Sequence, residues 1–301
     1  MNAEKALVFD TRRFAVHDGS GIRTTVFFKG CGMRCRWCQN PEGLSSDRRI
    51  LWLGNSCIHC GSCAKAAVAQ QMDFRDGSPI LNLSFCGSFD NLIQACPAGA
   101  IRYDSQWYTV EELIQEIRRD EVFFRYGGGV TFSGGEPLLQ KDFLIECLNQ
   151  CRSLGISTAA ESALYVPPAA LQAAVSGLSE LFADFKCYSD SLHRSFTGVS
   201  NQLIRENLIW ILEHAEIPVT VRTPLIPGYT ATEENIAAIA GFLAGHNPHV
   251  TYELLNYNEL APAKYSLMGT VYEPGERKRF SSADMERFRR IAAEKGLYNV
   301  I

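Results

Sequence analysis

The chain has 301 residues, of which 46% are hydrophobic and 21% charged, so it can bury one large core and carry a small appendage. Its net charge of -4 argues against a nucleic-acid binder, and its apolar runs are too short to cross a bilayer. The amino terminus lacks a signal peptide's apolar stretch, and eleven cysteines in clustered spacings suit metal binding in a reducing compartment. We therefore expect a cytoplasmic protein with neither a nucleic-acid nor a membrane partner.

Three cysteines directly follow the apolar run Thr25–Phe28, which has the length and composition of a buried strand. Cys31, Cys35 and Cys38 would then lie on the loop at the carboxyl end of that strand, where parallel sheets place their chemistry. A fully ligated 4Fe-4S cluster takes four cysteines, so three thiolates can hold such a cluster and leave one iron open to an external ligand. A zinc site that uses His17 as fourth ligand, or three buried thiols, are the alternatives.

The spacing Cys-x3-Cys-x2-Cys, with Trp37 before the last cysteine, resembles the signature of the radical S-adenosylmethionine (SAM) enzymes. The flanking DGSGIR (18–23) and WCQNPEG (37–43) resemble motifs of the enzymes that activate glycyl-radical enzymes, although Ser20 stands where that family usually has proline. The resemblance implies that the three cysteines form the catalytic centre, with Trp37 beside the cofactor. Reductive cleavage of SAM there would give a 5'-deoxyadenosyl radical, which takes a hydrogen atom from a glycine of a partner glycyl-radical enzyme.

Two other functions compete with this interpretation. One is a radical SAM enzyme that acts on a small molecule or another peptide, and the flanking motifs argue against it. The other is a ferredoxin-like electron carrier, which would leave the three-cysteine loop without a purpose.

Residues 45–104 contain a degenerate internal repeat, in which several cysteines are replaced, with the cysteine spacing of two-cluster bacterial ferredoxins. In such proteins the fourth cysteine of each run binds the cluster of the other run. The positions of the two runs in this chain are Cys57, Cys60, Cys63 and Ala67, then Cys86, Phe89, Leu92 and Cys96.

Under this crossing rule, one auxiliary 4Fe-4S cluster would be held by Cys57, Cys60, Cys63 and Cys96. Of the four ligand positions of the second cluster, only Cys86 is a cysteine, so we predict that the second cluster is absent. Cys86 as the fourth ligand, or a zinc site in the same insert, are the alternatives. The auxiliary cluster could relay electrons from a flavodoxin or ferredoxin, or it could help to dock the partner.

The remaining chain alternates strands and helices, which predicts a parallel sheet coated by helices with about six β/α units. The resemblance implies a partial (β/α)6 radical SAM barrel formed by residues 1–44 and 105–301, with residues 45–104 as a ferredoxin-like insert. The predicted strands are 5–9, 25–28, 130–132, 156–160, 181–185, 218–223 and 250–255. Two predicted helices start at a capping box at 109–112 and at a Pro-Pro pair at 167–168. Four others span 141–154, 201–214, 232–244 and 282–295.

A Gly-Gly-Glu-Pro turn follows the strand at 130–132. Gly134 and Gly135 would let the backbone approach a ligand closely. By resemblance, Glu136 binds the amino group of SAM.

Polar side chains also end the next two strands. The resemblance implies a monovalent cation beside SAM, held by carboxylates of Glu161 and Asp184 and by carbonyls of Ser162 and Phe182. The family more often has aspartate at position 161. Lys186 would offset the carboxylate of SAM or support its ribose.

Two further cofactor contacts follow from the resemblance. Arg222, near the end of the strand 218–223, suits a contact to a carboxylate. By resemblance, Asn258 stands where many relatives have histidine near the adenosyl group, and an amide can hydrogen-bond but cannot change its charge near neutral pH.

Overall fold

The computed structural model describes residues 5–301 of the chain. The strands of this part are β1 (Lys5–Ala15), β2 (Arg23–Phe28), β3 (Ile50–Trp52), β4 (Met72–Arg75), β5 (Ser78–Leu81), β6 (Ile101–Tyr103), β7 (Gln106–Thr109), β8 (Gly129–Gly134), β9 (Ser157–Ser162), β10 (Glu180–Asp184), β11 (Val219–Pro224), β12 (Thr251–Leu255) and β13 (Asn299–Val300).

The helices of the same part are α1 (Ser62–Ala66), α2 (Asp90–Ala95), α3 (Val110–Arg118), α4 (Glu121–Phe124), α5 (Lys141–Ser153), α6 (Pro168–Val175), α7 (Asp190–Thr197), α8 (Gln202–His214), α9 (Glu233–His246), α10 (Ala261–Leu267) and α11 (Ser282–Ala293). Within residues 5–301, none of them has the length and apolar character that a bilayer crossing requires.

One nine-stranded sheet forms the body of the protein, in the order β13-β12-β11-β10-β9-β8-β2-β1-β7. From β2 through β8 to β12 the six strands are parallel, and helices connect β8 through β12. The prediction of a partial β/α barrel with about six units is confirmed. The carboxyl ends of these strands share one rim, and each strand predicted in this region lies within two residues of its observed position.

Strand β1 is longer than the predicted strand at 5–9 and pairs antiparallel with β2. The prediction stopped short because the second half of β1 is polar and largely exposed, so it lacks the alternation of a half-buried strand. Its pairing with β2 is also irregular, with register shifts at Asp10 and before Ala15. Strand β7 extends the sheet beyond β1.

The main core lies between this sheet and its helices. Residues of β2 and β8 that alternate along each strand, such as Phe28 and Phe132, are fully buried there, with ring centroids 6.0 Å apart. The predicted capping box starts α3: Thr109 Oγ1 accepts the Glu112 amide at 3.2 Å, and the Thr109 amide donates to Glu112 Oε2 at 2.8 Å. Helix α5 adds two fully buried thiols to this core.

Residues 50–103 form two small antiparallel sheets, β3 with β6 and β4 with β5, and the helices α1 and α2 pack together. Their core is separate from the main one and includes Phe89 and Leu92. These are the positions where a two-cluster ferredoxin would carry cysteines of its second cluster. Apolar side chains fill that part of the segment.

A buried ion pair joins this segment to the barrel. Lys29 Nζ, at the end of β2, lies 2.5 Å from Asp104 Oδ2, and both side chains are at most 2% exposed. Asp104 also accepts the Arg49 amide at 3.0 Å through Oδ1, and its own amide donates to the Arg49 carbonyl at 2.8 Å. The two stretches of chain that connect the barrel to residues 50–103 are therefore joined at the Asp104 carboxylate.

Candidate active site

The cysteine loop starts at the carboxyl end of β2, where it meets two other loops. The Glu136 amide donates to the Gly30 carbonyl, the Gly30 amide to the Gly43 carbonyl and the Gly135 amide to the Phe28 carbonyl, each at 2.8 Å. A Cβ atom at position 135 would lie 2.2 Å from the Gly30 oxygen and 2.5 Å from the Gly43 oxygen.

Gly134, at φ +116, is equally tight, because a Cβ atom there would lie 2.3 Å from the Phe28 amide nitrogen. The space that glycine leaves free at both positions is thus used by protein backbone. The pair is required for the junction of the three loops.

Helix α7 holds the middle of the cysteine loop. The Arg34 amide donates to the Thr197 carbonyl at 2.8 Å, and the Arg36 amide donates to the Phe196 carbonyl at 3.0 Å. Trp37 is 3% exposed and packs on Phe196, with ring centroids 6.1 Å apart. The conformation of the loop is therefore fixed by α7 and by aromatic packing.

The three thiols of this loop lie near enough to one another to influence each other's charge. Burial is the main reason that the pKa of Cys35 rises to about 11 and that of Cys38 to about 12, and the other thiols of the set raise both values further. Burial also raises the pKa of Cys31, while the nearby Lys186 ammonium opposes all three shifts. Three soft sulfur donors grouped in this way fit the predicted iron-sulfur cluster, and the bound metal would displace the thiol protons.

Glu136 lies next to this group, fully buried and held by three donors. Ser162 Oγ donates to Oε1 at 2.9 Å, the Ala163 amide to Oε2 at 2.9 Å, and the Leu138 amide to Oε1 at 3.3 Å. Burial raises the pKa of Glu136 from 4.5 to about 7, although these hydrogen bonds favour the charged form. The structure therefore brings Glu136 and Ser162 together, with Ser162 orienting the carboxylate.

The oxygens of the predicted cation site are engaged by protein groups. Glu161 Oε1 lies 2.6 Å from Arg222 NH1, and Glu161 Oε2 accepts a hydrogen bond from Ser133 Oγ at 2.5 Å. Asp184 Oδ2 lies 2.5 Å from Lys186 Nζ. Both carboxylates are therefore paired with cationic side chains of the protein. Across residues 5–301, no three His, Cys, Asp or Glu side chains lie close enough together to hold a single metal ion, an arrangement that an iron-sulfur cluster, whose cysteines bind separate irons, does not require.

Arg222 makes contacts that the sequence analysis did not predict. Its Nε lies 2.6 Å from Glu253 Oε2, and its guanidinium lies over the Phe182 ring, 3.7 Å from the centroid. Glu253 lies on β12 in register with Arg222 on β11. As the only carboxylate within the predicted strand 250–255, it could have been identified from the sequence.

Asn258 lies on the exposed loop after β12, close to the cysteine loop. Its carbonyl accepts from Gln39 Nε2 at 3.4 Å, and its Oδ1 accepts the Leu260 amide at 3.0 Å. The neighbouring Tyr265, on α10, is buried, and burial followed by the charges of Cys38 and Cys35 raises its pKa. Sequence reasoning missed this tyrosine because α10 was not predicted.

A second group of cysteines lines one small pocket in the segment between β3 and β6. The four are Cys57, Cys60, Cys63 and Cys96, the set that the crossing rule selects. The Ala100 amide also donates to Cys96 Sγ at 3.2 Å. Cys86 is exposed, and it is not among the residues that line the pocket. The donor set fits one auxiliary cluster.

Comparison with known proteins assigns the chain to a family. Residues 25–240 match the radical SAM superfamily. The indoleacetate decarboxylase activating enzyme of Tractidigestivibacter scatoligenes is 37% identical, with 99% of this chain and 97% of that protein aligned. The isethionate sulfite-lyase activating enzyme of Desulfovibrio desulfuricans is 36% identical, with 91% of this chain and 89% of that protein aligned.

A solved domain of a pyruvate-formate lyase-activating enzyme from Bacteroides vulgatus is 31% identical and covers 58% of this chain and 98% of that chain, with a TM-score of 0.48. The superfamily match alone spans more than half of the sequence, and the curated relatives align over nearly all of it. The chain belongs to the radical SAM superfamily and, within it, to the activating enzymes of glycyl-radical enzymes.

Proposed function

We propose that this protein uses the cysteine loop at the rim of its barrel to cleave SAM and to generate a glycyl radical on a partner enzyme. One observation supports the proposal: three thiols lie within the range of each other's charge and of Glu136 and Lys186, at the carboxyl ends of parallel strands. Membership of the superfamily brings a 4Fe-4S cluster and SAM as cofactors.

The residues of the rim have distinct roles in this proposal. Cys31, Cys35 and Cys38 hold three irons of the cluster. Glu136, already oriented by its three donors, accepts hydrogen bonds from the ammonium of SAM. Lys186 supplies the positive charge for the carboxylate of SAM, because its ammonium lies near the thiols.

When bound, the cluster and SAM would supply the difficult chemistry: one electron would cleave SAM to methionine and a 5'-deoxyadenosyl radical, which would take a hydrogen atom from the glycine. The protein binds and orients the cofactors and excludes water from them. Trp37 and α7 keep the cysteine loop in one conformation. Asn258 lies at the outer edge of the rim, from which it would contact the adenosyl group of SAM.

The second part of the proposal concerns residues 45–104, as a ferredoxin-like insert in a barrel formed by 1–44 and 105–301. The shared pocket supports one auxiliary 4Fe-4S cluster on Cys57, Cys60, Cys63 and Cys96. A flavodoxin or ferredoxin would deliver electrons to the protein. Because these thiols must stay reduced, the cytoplasm is the proposed compartment.

The test is anaerobic. Iron-loaded protein is reduced with dithionite and mixed with SAM and with purified glycyl-radical enzymes, including an indoleacetate decarboxylase and an isethionate sulfite-lyase. We expect 5'-deoxyadenosine to form, and the electron paramagnetic resonance doublet of a glycyl radical to appear on one partner.

Two variants control the experiment. Cys38→Ser should abolish both signals because it removes a ligand of the catalytic cluster, whereas Cys86→Ser, at an exposed thiol, should leave both intact. Reduced protein that forms no 5'-deoxyadenosine would refute the proposal. Cleavage of SAM without a radical on any partner would favour a small-molecule substrate.

A further inference from the structure

Four charged side chains project from the inner face of the sheet at its rim. Asp184, Arg222 and Glu253 are in register on β10, β11 and β12. Glu161 on β9 is in register with Phe182 on β10, which lies two residues before Asp184 and therefore on the same face.

The Arg222 guanidinium spans from β11 to β9. Neighbouring strands lie about 4.8 Å apart, so the backbones of β11 and β9 are separated by roughly 10 Å. Arg222 crosses this distance over the Phe182 ring of the intervening strand and reaches Glu161 Oε1 at 2.6 Å. On its other side it is fixed by Glu253 at 2.6 Å.

This bridge depends on the length of the glutamate side chain. Aspartate at position 161 is shorter by one carbon–carbon bond of about 1.5 Å, which would open the contact to about 4 Å, beyond hydrogen-bond range. The resemblance implies a monovalent cation at this position and, more often, an aspartate. The glutamate in this chain has the length that the bridge requires.

A metal ion and the guanidinium compete for the same place. A metal ion held by Glu161 would lie a few ångströms from the guanidinium on Oε1, and two positive charges at that separation repel each other in a buried site. The second oxygen of Glu161 is engaged by Ser133, and Arg222 is only 6% exposed. The position is therefore filled by a cation that belongs to the chain.

We propose that Arg222 replaces the monovalent cation of the family in this protein, so that SAM binds without sodium or potassium. The inference rests on the proposed position of SAM at this rim. Arg222 acts as a positioning residue that neutralises Glu161 and Glu253 and presents a fixed charge to the rim.

The experiment measures the dissociation constant of SAM by equilibrium dialysis against the iron-loaded protein. One buffer contains potassium or sodium, and the other contains tetramethylammonium as the sole cation. We expect the two constants to agree within about twofold for the natural protein and to differ by about fivefold or more for Glu161→Asp. Glu234→Asp, at an exposed position on α9, is the matched control and should behave like the natural protein. A fivefold weaker constant for the natural protein in tetramethylammonium would overturn the inference.

A second measurement does not depend on SAM. The iron-loaded protein is dialysed against rubidium chloride, and bound rubidium is counted. We expect no stoichiometric ion on the natural protein. One rubidium per chain that disappears in Glu161→Gln would overturn the replacement by Arg222. If SAM binds in neither buffer, the proposed function fails, and the rubidium count still decides whether a cation occupies this position.

Discussion

Replacing Glu136 with glutamine should stabilise the protein increasingly as the pH rises. Burial raises the pKa of this carboxyl from 4.5 to about 7. A group with a raised folded-state pKa contributes stability that is fully present below the unfolded value and is lost as the pH rises through the folded value. At about 1.4 kcal/mol per pH unit, ionisation of Glu136 therefore costs the folded state about 3 kcal/mol above pH 7.

Glutamine keeps the size of the side chain and one oxygen, which can accept either from Ser162 and Leu138 or from the Ala163 amide, but it cannot ionise. Of the roughly 3 kcal/mol, about 2 kcal/mol should develop between pH 5.5 and 8. The assay is urea unfolding of natural protein and Glu136→Gln at a series of pH values, read as the difference between the two. Contributions that are common to both proteins cancel in this difference.

The difference between the two unfolding free energies should grow in favour of glutamine with rising pH. A difference that is constant across the range would show that Glu136 has no raised pKa, and the reasoning about its burial would be wrong. In parallel, Glu136→Gln should bind SAM weakly at pH 8, because a neutral amide replaces the carboxylate for an ammonium. Unchanged SAM affinity would remove Glu136 from the proposed amino-group site.

Three further predictions follow. Cys96→Ala should lose about four of roughly eight irons whereas Cys86→Ala loses none, as measured by iron analysis; the opposite pattern would move the fourth ligand to Cys86. Gly135→Ala should destabilise the loop junction by about 1–3 kcal/mol and weaken SAM binding, and normal urea unfolding and affinity would contradict the close approach. Lys29→Met should cost about 3–5 kcal/mol in unfolding free energy because it leaves Asp104 buried without its partner, and the added change Asp104→Asn should recover part of the loss.

The sequence predicted those features that depend on spacing and short-range order. The cysteine runs follow a fixed spacing, so both groups of cysteines could be located from it, and the choice of Cys96 over Cys86 as the fourth ligand stays a prediction. The strands of the barrel were found because parallel strands are continuous apolar runs, and the capping box at Thr109 because its two bonds are local.

Features that depend on contacts between distant strands were out of reach. Nothing in the sequence around Arg222 indicates that it bridges to Glu161 and Glu253, since the pairing follows from strand register. Helix α7 was missed because it is short and has only two large apolar residues, Leu192 and Phe196, although Ser and Gly mark its two ends.

The two stretches of chain that connect the barrel to residues 50–103 meet at Asp104, and this affects how the length and sequence of that segment can vary. Because Arg49 and Asp104 are bonded to each other through backbone and side chain, the residues between them form a closed loop on a narrow neck. Such a loop can be shortened, exchanged or removed in the course of evolution without moving the ends that the barrel must join. A direct splice at this neck is the natural place to transplant the four-cysteine unit into a relative that lacks one.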